Sequence, residues 1–337
     1  MDKVLEFFGV LLANGGFLFA VYWLAKRFPM RPYRHHMWEV FFMRLLFAVT
    51  IYYSLQFMLV GAGETKPPEI LKNHMQKHPT GLSWIFDLTW MANEGVADVM
   101  RWVLVVALVV YVSGFLLPVS TLVVFLIHNA VFTLNNSQGA IHHGYQIITL
   151  SLLAQLVVVW LPWVARLRKK EFNLPDGLHV RDLFVYATQL MIAAAYVLAG
   201  VAKTLRSGLH WIADSPYISV QLVKTRGQKF YEYLDPKLAD MGMPYAEWMA
   251  AHPWLTRGML TGGLLLELFA FMILVNRAWA LAFGIALILF HKCNEWLMLL
   301  HFEQNIDVCM IFLVNVPYWL VLPFLVLFGR KKKALEH

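Results

Sequence analysis

The stretch "LFVYATQLMIAAAYVLAGVAKTLRSG" covers residues 183–208 and contains an apolar run long enough to cross a bilayer. An α-helix rises about 1.5 Å per residue, so about 20 apolar residues cover a hydrocarbon core of about 30 Å. The run ends at Lys203, where a membrane helix would emerge into water. Lys203 is therefore either an anchor that reaches the interface or a base held at a dry boundary.

Apolar runs of this length recur along the whole chain, which predicts an all-α, polytopic integral membrane bundle without a large soluble domain. Of the 337 residues, 59% are hydrophobic and 15% are charged, whereas soluble proteins have about 25% charged residues. The first run carries Glu6 and Asn14 and is followed by its basic cluster, so it predicts a first span rather than a cleaved signal peptide.

About nine transmembrane helices are predicted. They cover residues 4–25, 37–60, 97–113, 117–134, 146–164, 183–203, 258–275, 279–299 and 306–328. Only Ser113, Gly114 and Pro118 separate the third and fourth, which are either two short spans or one kinked span. We expect one transmembrane domain over 1–334 with outer loops 61–96 and 204–257, followed at 335–337 by the start of an expression-tag scar.

The net charge of +7 is explained by membrane topology, because the basic residues lie in short loops. With nine spans, one set of alternate loops carries Lys26, Arg27, Arg31, Arg34, Arg166, Arg168, Lys169, Lys170, Arg181, Arg277 and Arg330. This distribution predicts an amino terminus outside and a carboxyl terminus inside. The outer loops then hold Trp84, Trp90, Trp211, Trp248 and Trp254. We expect no nucleic-acid partner.

Ionisable residues inside the spans need a physical reason, because a buried charge in a bilayer is costly. Glu39 and Arg44 on the second span are interpreted as structural polar residues that form salt bridges to other helices. Glu267 lies alone in an apolar span and must be neutral or paired. His291 and Asn294 lie three residues apart and share a helix face.

Amides and imidazoles are concentrated at the end of the fourth span. The residues concerned are His128, Asn135, Asn136, Ser137, Gln138, His142, His143 and Tyr145. They either cap two helix ends or bind a quinone oxygen, a carboxylate or an oxyanion. The predicted topology puts this turn, Lys203 and His291 in the outer half of the membrane, which predicts one shared pocket.

A metal site is not expected. The chain has no HExxH or paired ExxH motif, and the adjacent His142 and His143 would point about 100° apart on a helix. A biotin-type lysine motif and a glycine-rich phosphate loop are also absent from the sequence. The two cysteines, Cys293 and Cys309, lie in predicted spans, so a disulfide framework is not expected.

Four stretches in order resemble a known family. They are "AGVAK" (199–203), "NNSQGAIHHGY" (135–145), "GGLLLEL" (262–268) and "LFHKCNE" (289–295). Together they are similar to the membrane domain of vitamin K-dependent gamma-glutamyl carboxylase and to its bacterial relatives, the horizontally transferred transmembrane (HTTM) proteins. The similarity covers about residues 35 to 320.

The resemblance implies an enzyme that uses reduced vitamin K or menaquinol in a bacterial cytoplasmic membrane, with its site on the outer side. In the family, the motif lysine deprotonates the quinol, and oxidation of the quinol generates a strong base. That base removes a proton from a glutamate side chain, which is then carboxylated. Lys203 and His291 then correspond to catalytic residues. The resemblance places Asn135, Asn136 and Asn294 at the quinol. His142 or His143 would lie there as a substitute for a histidine of the family. A lysine in this role must be neutral, which burial favours.

Two departures keep alternatives open. Ser137 stands where the animal enzymes have histidine, and those enzymes continue into a large lumenal domain, so we expect a different acceptor or a separate partner subunit. The first alternative is a non-catalytic HTTM protein for maturation of, or immunity to, a secreted peptide. The second is a transporter of protons or small molecules that uses Glu39, Glu267 and His291. Membrane lipids, an isoprenoid quinol and a peptide or protein substrate are the expected partners.

Overall fold

The computed structural model describes residues 30–59, 69–139, 141, 143–175, 177–207 and 210–323, and over these residues it contains helices and no strand. Helices of at least seven residues are numbered here in chain order. They are α1 Met37–Leu59, α2 Glu94–Ser113, α3 Leu117–Asn136, α4 Gln146–Leu167, α5 Val180–Arg206, α6 Ile218–Tyr233, α7 Met243–Ala251, α8 Pro253–Leu268, α9 Arg277–Met298 and α10 Glu303–Cys309.

Seven helical segments in the described part are long and apolar enough to cross a membrane. They are Met37–Gln56, Glu94–Ser113, Leu117–Asn136, His143–Leu167, Val180–Arg206, Arg277–Met298 and Glu303–Pro323. Each overlaps one of the nine predicted spans, so the all-helical membrane class agrees with the sequence.

The count of nine stays a prediction. The first predicted span, 4–25, lies outside the described residues. The predicted span 258–275 is divided, because α8 ends at Leu268 and the 3-10 helix Ala270–Leu274 follows it.

The chain forms two compact units. Among the described residues, the larger unit contains those within 34–191 and 303–323, and the smaller unit contains those within 30–33 and 192–302. The boundary falls within α5, which continues from one unit into the other. The predicted single domain over 1–334 is therefore built from two units, and the predicted tag scar at 335–337 lies outside the described residues.

The third and fourth predicted spans are two separate helices. Asn93 caps the start of α2 by accepting hydrogen bonds from the backbone N–H groups of Gly95 and Val96. The helix ends at Gly114, whose φ of 78° is a left-handed conformation that glycine adopts without steric cost. Pro118 lies in the first turn of α3, where its missing N–H is tolerated. The short turn returns α3 alongside α2 as a helical hairpin.

Buried polar groups of the larger unit pair with one another. Asp182 accepts hydrogen bonds from the backbone N–H groups of His35 at 2.7 Å and His179 at 2.8 Å. Glu39 accepts from the side-chain amide of Asn315 at 2.8 Å. Arg44 donates to the backbone carbonyl of Tyr111 at 3.3 Å. Glu39 also accepts a hydrogen bond from the backbone N–H of His36 at 2.9 Å. The predicted salt bridges of Glu39 and Arg44 to other helices stay a prediction.

The last described span is not a regular helix. After α10 the chain forms a π-helical turn, Met310–Val314, and Asn315 adopts a left-handed conformation with φ 52°. A π-turn leaves backbone carbonyls without their usual intrahelical partners. Gln189 donates to one of them, the carbonyl of Phe312, at 2.8 Å. The buried side chain of Gln189 therefore supplies a hydrogen bond to a backbone carbonyl of the irregular turn.

The predicted outer loop 204–257 is largely helical in the structure. Within it, α6 and α7 pack through a small core of Leu222, Ala246 and Met249. Arg226 of α6 is buried and donates to the carbonyls of Trp296 and Leu297, which belong to the last turn of α9. A cation at the carboxyl end of a helix is stabilised by the helix dipole. The segment is thus anchored on the end of α9.

Replacement of Glu39 tests the buried hydrogen bonds of the larger unit. Glu39→Ala would leave the Asn315 amide donor buried without its acceptor, which costs about 1–3 kcal/mol. We expect a lower melting temperature in detergent by intrinsic fluorescence. Glu39→Gln keeps an acceptor oxygen and is expected to melt closer to the wild type. Equal melting temperatures for Glu39→Ala and the wild type would contradict this assignment.

Candidate functional site

An ion pair between Lys203 and Glu267 is the centre of the candidate site. The Nζ atom of Lys203 lies 2.5 and 2.6 Å from the two carboxylate oxygens of Glu267. The Glu267 side chain is only 5% exposed and that of Lys203 is 33% exposed. Lys203 lies in the last turn of α5 and Glu267 in the last turn of α8. Lys203 is therefore paired with a buried acid, whereas a lysine that only anchors a helix at the membrane surface has no such partner.

Two glycines let the neighbouring side chains approach this pair. A Cβ atom at Gly200 would lie 3.0 Å from a methyl carbon of Leu268 and 3.3 Å from the Cβ of Glu267. A Cβ atom at Gly263 would lie 2.9 Å from the ring of Phe290. Since such contacts are closer than ordinary van der Waals distances, the absence of a side chain allows α5, α8 and α9 to converge around Lys203.

Aromatic rings line the surroundings of the Lys203 ammonium group. The ring centroids of Trp211 and Phe290 each lie 5.8 Å from Nζ. This distance is within the range at which a cation is attracted to an aromatic face. Lys203 thus lies between a carboxylate and flat apolar surfaces.

His291 lies next to this pair on α9 and is 4% exposed. Its Nε2 atom is 2.6 Å from the hydroxyl oxygen of Tyr196. The ring of Phe302 lies 4.9 Å from the imidazole, centroid to centroid. The Nδ1 atom of His291 is buried and has no hydrogen-bond partner among the described residues. Buried polar atoms without a partner are rare, so this atom marks a position where a ligand can bind.

Tyr196 connects the two groups. It lies seven residues before Lys203 on α5, which is two helical turns on the same face and about 10 Å along the axis. Phe290, which contacts Lys203, directly precedes His291. The charge of Lys203 is close enough to act on His291. Lys203, Glu267, Tyr196 and His291 therefore form one cluster in the smaller unit, called here the lysine site.

Asn294 and His301 lie farther along the same unit. Asn294 is half-buried on α9, one turn after His291. His301 is exposed, and its Nδ1 atom lies 3.2 Å from a carboxylate oxygen of Glu295. His301 is thus engaged at the surface, whereas Asn294 stays within one helical turn of the lysine site.

The asparagine turn belongs to the larger unit, where part of it caps a helix. Ser137 is fully buried; its hydroxyl donates to the carbonyl of Thr133 at 2.7 Å and lies 2.9 Å from the hydroxyl of Ser83. Gln138 donates to the carbonyls of Leu134 and Met75. For these two residues, the helix-capping interpretation of the sequence matches the structure.

Asn136 has a different environment from Ser137 and lines a cavity of about 290 Å³. Asn129, Tyr145 and Thr149 also line it. Asn135 is half-buried beside Asn136 and His143 is exposed, whereas His142 lies outside the described residues. The buried ring of His128 lies close to this cavity, with its Nδ1 atom 3.0 Å from the Thr149 hydroxyl.

The predicted site residues are therefore divided between the units. Lys203, His291 and Asn294 belong to the smaller unit, while Asn135, Asn136 and His143 belong to the larger one. The shared pocket, which would join both sets, stays a prediction. Among the described residues, no group of three or more His, Cys, Asp or Glu side chains could hold a metal ion. Cys293 is exposed and Cys309 is buried.

The sequence interpretation missed the aromatic members of the lysine site. Tyr196, Trp211, Phe290 and Phe302 were not among the expected site residues. The spacing of seven residues between Tyr196 and Lys203 was a usable signal, because it places both on one helix face. Trp211 and Phe302 carry no comparable signal, since Trp211 begins a short helix after α5 and Phe302 lies between α9 and α10.

Comparison of the chain with protein-family models, curated proteins and solved structures finds no match. The resemblance to the carboxylase family is thus based on the four short stretches alone.

A double-mutant cycle tests the ion pair. Lys203→Met and Glu267→Leu are made singly and together. Lys203→Met would leave the buried Glu267 carboxyl without its partner, and we expect it to destabilise the protein by about 1–3 kcal/mol. Lys203→Met combined with Glu267→Leu should recover most of this loss, because no buried polar group is then left unpaired. Melting temperatures in detergent measure both effects. Additive losses in the double variant would show that the two side chains do not interact.

Proposed function

We propose that the protein is a naphthoquinol-dependent membrane enzyme, similar in its quinol chemistry to the carboxylase family, with Lys203 as the base. The observation that carries this proposal is the lysine paired with a buried acid among aromatic rings. An interfacial anchor needs neither the acid nor the rings. A base that accepts a proton from a quinol hydroxyl needs a site from which water is largely excluded.

Glu267 gives Lys203 a way to become neutral. Transfer of one proton from the ammonium to the carboxylate leaves the pair with the same net charge and removes two separated charges. A low-dielectric environment favours this neutral form relative to water. The last turn of α8 disfavours the Glu267 carboxylate, whereas the last turn of α5 favours the Lys203 ammonium, so this proton transfer depends on the low-dielectric surroundings. Lys203 can then act as the base while Glu267 holds the proton.

His291 supplies a polar contact for the ligand. Its Nε2 atom is engaged by Tyr196, so the free Nδ1 atom donates or accepts according to the tautomer that this hydrogen bond selects. One imidazole nitrogen suits one oxygen of a quinol or quinone. The rings of Trp211, Phe290 and Phe302 offer flat apolar surfaces to a naphthalene head group. These residues therefore fit reduced vitamin K or menaquinol.

When bound, the quinol would supply the reducing power for reaction with oxygen, and the chain would supply the base and the dry site. In this proposal Asn294 lies one turn from His291 and assists the head group. We assign Asn135, Asn136 and the 290 Å³ cavity of the larger unit to binding either the acceptor or the quinol. The resemblance implies a peptide or protein acceptor, which a separate partner subunit would present. The site would face the outer side of a bacterial cytoplasmic membrane.

Transport is the second candidate function, and one observation favours it. The span Glu303–Pro323 is interrupted at Met310–Val314, and Asn315 there binds Glu39. Interrupted membrane helices form ion sites in many transporters. The lysine site would then carry protons. The non-catalytic HTTM alternative, in peptide maturation or immunity, predicts that neither quinol turnover nor transport depends on Lys203.

Oxygen-dependent consumption of a soluble naphthoquinol by the purified protein in detergent tests the proposal. Lys203→Ala and Lys203→Met should lose turnover by at least a hundredfold, which is the low end of general-base contributions. Lys203→Arg is the matched control, because it keeps the positive charge and the pairing with Glu267 but cannot act as a base near neutral pH. We expect Lys203→Arg to fold and to be inactive.

The remaining variants separate the alternatives. Lys203→Arg with wild-type turnover would contradict a base at this position and would leave Lys203 as an anchor. Absence of naphthoquinol turnover in the wild type, together with Lys203-dependent proton uptake into vesicles, would favour transport. Glu267→Gln should reduce turnover but keep the fold, since an amide oxygen still accepts a hydrogen bond from Lys203.

A further inference from the structure

The last described span is interrupted inside the larger unit. The span Glu303–Pro323 contains the π-helical turn Met310–Val314, after which Asn315 adopts a left-handed conformation. Pro317 follows in the same span and has no backbone N–H. The carbonyls before it therefore lose a donor that a continuous helix would supply, and the backbone oxygens at the break need other partners.

Two side chains supply part of these contacts. Gln189 donates to the carbonyl of Phe312, and the indole N–H of Trp319 donates to the carbonyl of Val314, each at 2.8 Å. In transporters, unwound backbone of this kind inside a membrane helix coordinates Na⁺ through its carbonyl oxygens. The oxygen atoms around the break are therefore candidate ligands of a cation.

The Asn315 side chain adds an oxygen at the break. Asn315 is 5% exposed, and its Nδ2 atom donates to the Oε2 atom of Glu39 at 2.8 Å. Its Oδ1 atom is buried and has no hydrogen-bond partner among the described residues. Because an amide oxygen only accepts, the partner that suits it is either a hydrogen-bond donor or a cation.

Glu39 brings a carboxyl group to the same place. Its side chain is fully buried in the first turn of α1, where the positive end of the helix dipole stabilises a carboxylate. The Oε1 atom accepts from the backbone N–H of His36 at 2.9 Å, and the Oε2 atom accepts from Asn315. A carboxylate accepts at about four positions, so these two hydrogen bonds alone do not saturate it.

The oxygens of Glu39 and Asn315 are close enough to share one ion. The oxygen and nitrogen of an amide are about 2.3 Å apart. With the hydrogen bond of 2.8 Å, the Oδ1 atom of Asn315 therefore lies within about 5 Å of the Oε2 atom of Glu39. Oxygen ligands contact a cation such as Ca²⁺ at about 2.3–2.6 Å. One ion between the two side chains can thus contact both.

We propose that Glu39 and Asn315, together with backbone carbonyls of the break, bind one monovalent cation, Na⁺ or K⁺. A water molecule has only two hydrogens to donate, whereas a cation attracts every oxygen around it. A single charge is favoured because one carboxylate neutralises it, and a buried divalent ion would keep uncompensated charge. The carbonyl end of the helical segment before Asn315 also stabilises a cation.

Thermal unfolding of the full-length protein in detergent tests this site. Melting temperatures are measured by intrinsic fluorescence in NaCl, KCl and choline chloride at equal ionic strength. We expect a saturable rise in at least one alkali salt relative to choline chloride, because an ion that binds only the folded state stabilises it. Asn315→Gly should lose this rise, since glycine keeps the left-handed backbone and removes the amide oxygen.

Glu39→Gln should also lose the rise, although it keeps an acceptor for Asn315 and is expected to fold. Glu94→Gln is the matched control, because Glu94 is an exposed glutamate in the first turn of α2. It should keep the rise of the wild type. Equilibrium binding of the radiolabelled ion should show a single ion per wild-type molecule and none on Glu39→Gln.

Equal melting temperatures of the wild type in all three salts would overturn the proposal, because water or a proton would then satisfy the Asn315 oxygen. An alkali-dependent rise of the same size in the wild type and Glu39→Gln would overturn it as well. Neither measurement uses naphthoquinol turnover, so failure of the cation site would leave the proposal for the lysine site unchanged.

Discussion

The contact between Lys203 and Glu267 is the interaction on which the structure of the smaller unit and its proposed chemistry depend. Charge separated from water is costly, and the cost is greatest where apolar helices surround it. The Glu267 carboxyl is almost fully buried and therefore needs the amine that points at it from the last turn of α5. Glycines at 200 and 263 allow the close approach that this pairing requires.

The same constraint explains the polar residues of the larger unit. Asp182 accepts the backbone N–H groups of His35 and His179, and Glu39 accepts the amide of Asn315. The contacts of Asp182 with His35 and of Glu39 with Asn315 link segments that are far apart in sequence, so these buried polar groups help to fix which helices are neighbours. At the lysine site, the Nδ1 atom of His291 is buried and has no hydrogen-bond partner among the described residues, which suits it to an oxygen of a bound ligand.

The sequence predicted the helical membrane class because apolar length and loop charge are one-dimensional properties. It could not predict that Glu267 pairs with Lys203, since the two lie 64 residues apart and no periodicity connects them. It placed a continuous span over 258–275, whereas the helix ends at Leu268; hydropathy does not register such a break. It could not predict that Glu39 accepts from the amide of Asn315 or that Arg44 donates to the carbonyl of Tyr111, because neutral partners leave no trace in the charge pattern of the sequence. The sequence also treated Ser137 and Asn136 as members of one polar cluster, but Ser137 caps a helix whereas Asn136 lines a cavity.

Mass spectrometry of the isoprenoid lipids that co-purify with the protein in detergent tests the central claim most directly. The comparison is between the wild type and His291→Ala, with Lys292→Ala, an exposed neighbour on the same helix, as the matched control. The account predicts that the wild type and Lys292→Ala retain a naphthoquinone and that His291→Ala loses it, because the unpaired imidazole nitrogen binds the head group. A naphthoquinone retained equally by all three proteins, or by none of them, would contradict a quinol site at Lys203 and His291.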